Sequence, residues 1–251
     1  MRALGGLFAA VLALVAFGRA NLALAGETQV AVAANFSEPA KEIAAGFQKA
    51  TGHVARLSFG PSGQFYSQIS HGAPFQVFLS ADEERPAKAE AEGLAVKGTR
   101  FTYAVGRLVL YSKTPGLVDS KGAVLSRGKF DKIAIADPVT APYGAAAVET
   151  MKKRGVYDSL KPKLVQGTSI AQTFQFVETG AAELGFVALS QVVTIKGGSR
   201  WVVPAQDHAP IVQQAVLLTT GAGEPAARAF LDYLKTPHAR AIIKRYGYET
   251  R

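Results

Sequence analysis

The feature that most constrains this chain is an alternation of short β-rich runs with amphipathic stretches, and the alternation starts twice. Gln29 to Ala34 reads as a strand, and Pro39 to Lys49 as a helix carrying Ile43, Ala44 and Phe47 on one face. Ala55 to Phe59 and Gln76 to Ser80 read as strands, with a helical stretch from Phe65 to His71 between them. Glu84 to Glu92 is helical and Gly93 closes it. This β-α-β-α-β-α opening predicts an α/β fold, a parallel sheet with helices on its faces.

The pattern restarts with strands at Arg107 to Tyr111 and Lys132 to Ala136, then a helix at Tyr143 to Lys153 ended by Gly155. Leu164 to Val165 is a short strand, Ile170 to Glu178 a helix and Leu184 to Ala188 a strand. Val212 to Thr219 is a strand leading back. Two helices, Pro225 to Leu234 and His238 to Tyr246, close the chain around the break at Thr236-Pro237. Two α/β units of this size predict two lobes with a cleft between them. Ligands of open α/β sheets bind beyond the carboxyl ends of the strands, so the strand-to-helix turns should face that cleft.

The first residues read as a secretory signal. Arg2 supplies the positive start, Leu7 to Phe17 is apolar but too short to span a bilayer, and Ala23-Leu24-Ala25 gives a small-x-small cleavage pattern. Cleavage is expected near Ala25, with a periplasmic destination. The formal net charge of +9 then falls to +7, because Arg2 and Arg19 leave and no acid does. The cations are scattered. Lys152-Lys153-Arg154 and Lys161-Pro162-Lys163 read as solvated helix ends, and no basic stripe interleaved with aromatics marks a nucleic-acid surface. A mild positive field favours a small anion instead. The chain has no cysteine, which excludes thiol nucleophiles and cysteine metal sites.

Enzyme signatures are missing. His53, His71, His208 and His238 are not spaced as a metal pair, Gly60-Pro61-Ser62-Gly63 lacks the spacing of a nucleophile elbow, and Gly122 to Lys129 is no phosphate-binding loop. The expectation is a non-enzyme without a cofactor.

What stands out is a set of hydroxyl, amide and glycine residues just after strands. Ala33 to Glu38, Phe59 to Gly63, Asp137 to Gly144 and Gly167 to Ile170 each open a helix. Each alone reads as helix capping: Asn35 with Glu38 has the spacing of a capping box, and Ser62 is a ready N-cap. Together they put four helix N-termini, two from each unit, in position to aim free N–H groups into one cleft. A dehydrated anion must have each oxygen hydrogen-bonded. An all-donor cage also rejects a protonated anion, whose O–H would meet no acceptor. Molybdate, tungstate and sulfate are fully deprotonated at neutral pH and fit such a cage.

These residues carry a resemblance. Ser58 to Gly63 followed by Gly72 to Asp82 is the most specific stretch. Val32 to Asn35, the Asp137-Pro138 to Tyr143-Gly144 loop, Leu184 to Val187, and Tyr233 to Lys235 with Arg245 to Gly247 accompany it. From Thr28 to Tyr248 the chain resembles the periplasmic molybdate-binding proteins of ABC importers. The resemblance implies a two-lobed, type II periplasmic-binding-protein fold that closes around the anion, with a membrane permease as partner and a monomeric receptor. It implies lobe 1 from residues 27–103 plus 206–251 and lobe 2 from 104–205, joined by two crossings.

By motif position it implies ligand contacts from Asn35, Ser62, Tyr143 and Ile170, the last through its backbone N–H. Molybdate or tungstate would be held through its oxygens, with no protein ligand on the metal. Some relatives carry a ligand tyrosine where this chain has Ala188, a role the Tyr143 hydroxyl is expected to assume. Relatives usually have Asp at the position of Gln76.

Overall fold

Strand alternation builds the first layer. In β1 (Glu27–Ala33), Val30 and Val32 face one side and Ala31 the other, as a period of two requires. The computed structural model describes residues 25–127 and 129–250. Apart from Ala25, the expected signal segment lies outside the described residues.

The Val30 face is covered by α1 (Ser37–Thr51), α9 (Pro225–Tyr233) and α10 (Pro237–Arg245). These helices contribute the buried Ile43, Phe47, Phe230 and Ile242. Each such side chain stabilises the fold by roughly 1.5–3 kcal/mol on burial. The Ala31 face, with Phe78 and Val216, is covered by α2 (Ser62–Ser70) and α3 (Glu84–Ala91) through Phe65, Ile69 and Ala89.

This first sheet has the order β2-β1-β3-β10-β4. Its other strands are β2 (Val54–Gly60), β3 (Val77–Leu79), β4 (Phe101–Gly106) and β10 (Ile211–Leu217). β1 runs parallel to β2 and β3, and β10 is antiparallel to β3 and β4. A bulge shifts the β10–β4 register between Gln213 and Gln214.

The second sheet repeats the plan in the order β7-β6-β8-β5-β9. It comprises β5 (Leu108–Ser112), β6 (Ile133–Ala136), β7 (Leu164–Gly167), β8 (Leu184–Ala188) and β9 (Ser199–Val202). β6 is parallel to β7 and β8, and β5 is antiparallel to β8 and β9. Its helices are α4 (Val124–Arg127), α5 (Pro142–Lys153), α6 (Tyr157–Leu160), α7 (Ile170–Glu178) and α8 (Leu189–Val192). The fold is therefore α/β with two lobes, each a mixed sheet flanked by helices. Pro142, Pro225 and Pro237 occupy first helical positions, where a missing N–H costs nothing.

The helix Ile170–Glu178 and the strand Leu184–Ala188 have the bounds read from the sequence. The strands β4 and β9 are not read there. β4 and β5 form one β-rich run interrupted only at Arg107, and they belong to different sheets, so the chain passes between lobes at that residue. The first sheet thus keeps residues through Gly106. A Cβ at Gly106 would lie 2.1 Å from the Tyr143 hydroxyl and 2.7 Å from Gln213 Nε2, so only glycine fits at this crossing.

Arg154 is the exposed C-cap of α5, as the sequence predicts, and it also has partners. It binds Asp207 at 2.7 Å and lies 4.6 Å over the Trp201 ring, anchoring α5 to the returning segment.

Candidate functional site

All four residues singled out in the sequence line one small cavity between the lobes. Asn35, Ser62, Tyr143 and Ile170 surround it, with Ala33, Ala34, Gly60, Pro61, Ala81, Ala141 and Pro142. All four are buried. The lining contains no carboxylate and no cation. Among the described residues there is also no group of three or more His, Cys, Asp or Glu side chains able to hold a metal.

The capping alternative fails for two of these residues. Asn35 sits in a 3-10 turn, Ala34–Phe36, ahead of α1, and Phe36 rather than Asn35 is the N-cap. Ser62 is the first residue of α2, after Pro61 as N-cap. Its Oγ accepts the Ala81 N–H at 2.9 Å, which leaves its own hydrogen available to a ligand. Ser169 is a true cap: its side chain accepts the Gln172 N–H at 3.2 Å. Ile170 is then the first residue of α7, and its N–H has no acceptor within the helix.

Tyr143 is the second residue of α5, so its backbone N–H is likewise free of intrahelical partners. The neighbouring Gly144 N–H is engaged by Ala141 O at 2.8 Å. The Tyr143 hydroxyl accepts from Gln213 Nε2 at 3.2 Å and adjoins Tyr248. Tyr143 thus has two candidate donors for the cavity, the main-chain N–H at the start of α5 and the hydroxyl hydrogen that the Gln213 bond does not use.

Behind the cavity runs a buried polar network that sequence reading misses. Asn35 Nδ2 donates to Gln213 Oε1 at 2.8 Å and to the Tyr248 hydroxyl at 3.0 Å. Tyr103 donates to the same Gln213 oxygen at 3.0 Å. From the second lobe, Ser190 Oγ donates to Asn35 O at 2.7 Å, an oxygen that also receives the Tyr248 hydroxyl at 2.7 Å. Burial pushes the Tyr103 and Tyr143 hydroxyls well above the ordinary tyrosine range and that of Tyr248 up to about 12. All three are therefore neutral. The available signal was the pair Gln213-Gln214 inside an otherwise apolar strand, two amides that must find partners once buried.

Gln76 and Ala188 lie outside the cavity lining. Gln76, just before β3, accepts the Gln29 N–H of β1 on its Oε1 at 3.1 Å, a bond a carboxylate oxygen would also make. Ala188 is fully buried and donates its N–H to Gln191 Oε1 at 2.9 Å.

The family model of bacterial extracellular solute-binding proteins covers residues 28–249. The chain is 60% identical over 242 residues to the molybdate-binding protein ModA of Rhodobacter capsulatus, covering 96% of this chain and 95% of that one. It is 58% identical over 241 residues to the ModA of Azotobacter vinelandii, covering 95% and 96%.

The chain belongs to the ModA-type extracellular solute-binding proteins.

Among solved structures, the Azotobacter vinelandii periplasmic molybdate-binding protein superposes with a TM-score of 0.87 at 43% identity, covering 89% of this chain and 99% of that one. The two-lobed type II arrangement is thus that of the ModA-type proteins.

Proposed function

We propose that this protein is the substrate-binding component of an ABC importer, capturing molybdate, and tungstate with it, outside the cytoplasm and delivering it to a membrane permease. The observation that carries this reading is the neutral cavity with donors converging from both lobes: the Ser62 hydroxyl and the first-turn N–H groups at Asn35, Tyr143 and Ile170. Helix N-termini carry partial positive charge, and such a site stabilises a dianion without a paired cation. The likeness to proteins named for molybdate binding, at 60% and 58% identity, supports the same ligand.

The signal segment ending near Ala25, periplasmic location, monomeric state and lack of catalysis agree with membership of an extracellular solute-binding family. We assign residues 27–106 plus 206–251 to one lobe and 107–205 to the other. Arg107 and the segment around residues 203–210 are the hinge, because the strands on either side pair in different sheets.

Titration calorimetry with molybdate, tungstate, sulfate and phosphate tests the proposal. Tight binding of the first two, weak binding of sulfate and none of phosphate is the expected pattern. A preference for sulfate or phosphate would overturn it. Turnover of any of these anions would point to an enzyme.

A further inference from the structure

In front of the cavity, two hydrogen bonds join the lobes directly, and neither uses a cavity-lining side chain. The Gly63 N–H, in the first turn of α2, donates to Thr140 O at 2.9 Å. Arg85 Nη2, on α3, donates to Val139 O at 2.8 Å. Both acceptors belong to the segment 137–140 of the second lobe.

That segment is held in shape by Asp137. Its Oδ1 accepts from the Val139 N–H at 3.0 Å and from Gln166 Nε2 at 2.9 Å, and its Oδ2 accepts from Thr140 Oγ1 at 2.8 Å. On the facing side Asp82 steadies Arg85, accepting from its N–H at 2.9 Å and from its guanidinium. The Arg85 charge is thereby matched by a carboxylate, so the guanidinium acts here as an oriented donor. Val139 is 77% exposed, and its side chain contributes little to holding the segment down.

Gly63 is needed for the approach. A Cβ there would lie 2.9 Å from Thr140 Cα and 3.1 Å from Thr140 O and from Arg85 Nη2. The clash is with backbone, which cannot rotate away.

We propose that Gly63 and Arg85 are positioning residues forming a latch on segment 137–140, which holds the lobes shut and slows release of the bound anion. The latch rests on the oxyanion-receptor reading for its ligand, but its geometry is independent of which anion binds. Opening the cleft must break both bonds, whereas capture takes place before they form. Their loss therefore falls on the dissociation rate.

The test has two arms. In the first, release of molybdate is followed by stopped-flow displacement in the parent protein, Arg85→Ala, Arg85→Lys and Gly63→Ala. Dissociation should quicken about tenfold in Arg85→Ala and Gly63→Ala, with association within about twofold. Arg85→Lys keeps the charge but loses the fork that serves Asp82 and Val139 together, so it should fall between. Unchanged dissociation in Arg85→Ala and Gly63→Ala would overturn the latch. So would slowed association with full rescue by Arg85→Lys, which would make Arg85 an electrostatic guide.

The second arm needs no ligand. The chain has no cysteine, so Lys49→Cys and Lys153→Cys accept spin labels on opposite lobes. In ligand-free protein, adding Arg85→Ala or Gly63→Ala should move the distance distribution to longer values. An unmoved distribution would refute the latch. Variants that show the shift while the parent binds no molybdate would instead defeat the ligand reading alone.

Discussion

Asn35 Nδ2 donates to Gln213 Oε1 at 2.8 Å, joining the turn after the first strand to the strand that returns 178 residues later. The same oxygen receives the Tyr103 hydroxyl, and the other end of the Gln213 amide donates to Tyr143. One amide thus orients residues from both lobes without lining the cavity.

Gln213→Leu should therefore weaken anion binding by about tenfold and also lower the stability of the ligand-free protein. It removes the acceptor shared by Asn35 Nδ2 and the Tyr103 hydroxyl, which keep Tyr248 and Ser80 O, and leaves one Asn35 N–H unpaired at a cost of about 1–3 kcal/mol. Calorimetry and urea unfolding read the two effects. A variant with parental affinity and parental stability would show the network to be dispensable.

Ser62→Ala removes a hydroxyl whose oxygen already serves the Ala81 N–H. Loss of a donor to a charged ligand should cost about tenfold to a hundredfold in affinity. The unfolding midpoint should drop as well, since Ala81 N–H loses its acceptor. An unchanged dissociation constant would take Ser62 out of the binding set.

Tyr143→Phe should behave differently. The hydroxyl is engaged with Gln213, and the main-chain N–H at the start of α5 survives the substitution. Affinity should stay within about threefold while stability declines by about 0.5–1.5 kcal/mol, the net worth of one hydrogen bond. A hundredfold loss of affinity with intact stability would return the hydroxyl to the ligand.

High pH should unfold the protein through its buried tyrosines. Burial raises Tyr103, Tyr143 and Tyr248 above the ordinary value near 10. The native state then holds protons that the unfolded chain releases. Stability is unaffected by these groups below about pH 10 and falls as pH rises towards the folded value, about 12 for Tyr248. Urea midpoints compared at about pH 8 and pH 11, alongside phenolate absorbance, check the sign. A midpoint that rises with pH would contradict it.

Much of the fold was legible because strand and helix periods are local. Ile170–Glu178 and Leu184–Ala188 were marked by apolar spacing and by Gly167-Thr168-Ser169 before them. β4 escaped because Phe101 to Ser112 is one β-rich run, and nothing local tells that its two halves pair in different sheets. Asn35, Ser62, Tyr143 and Ile170 were named by the family resemblance, on segments that follow strands and open helices. Gln213, Ser190 and Tyr248 were not, because their partners lie 178, 155 and 213 residues away in the chain. The Tyr143 hydroxyl was expected at the ligand, and its bond to Gln213, 70 residues on in the chain, was not legible.

The bulge between Gln213 and Gln214 makes β10 a gauge of chain length. Consecutive strand residues point to opposite faces, and a slip of one residue reverses every side chain beyond it. Deleting a single residue there would either turn Gln213 away from Asn35 or send Val216 and Leu217 to the wrong cores. Insertions and deletions are thus barred from this strand on both functional and structural grounds, whereas the exposed stretch 113–116 has no such constraint. Substitution along β10 can be absorbed face by face, but its residue count cannot change.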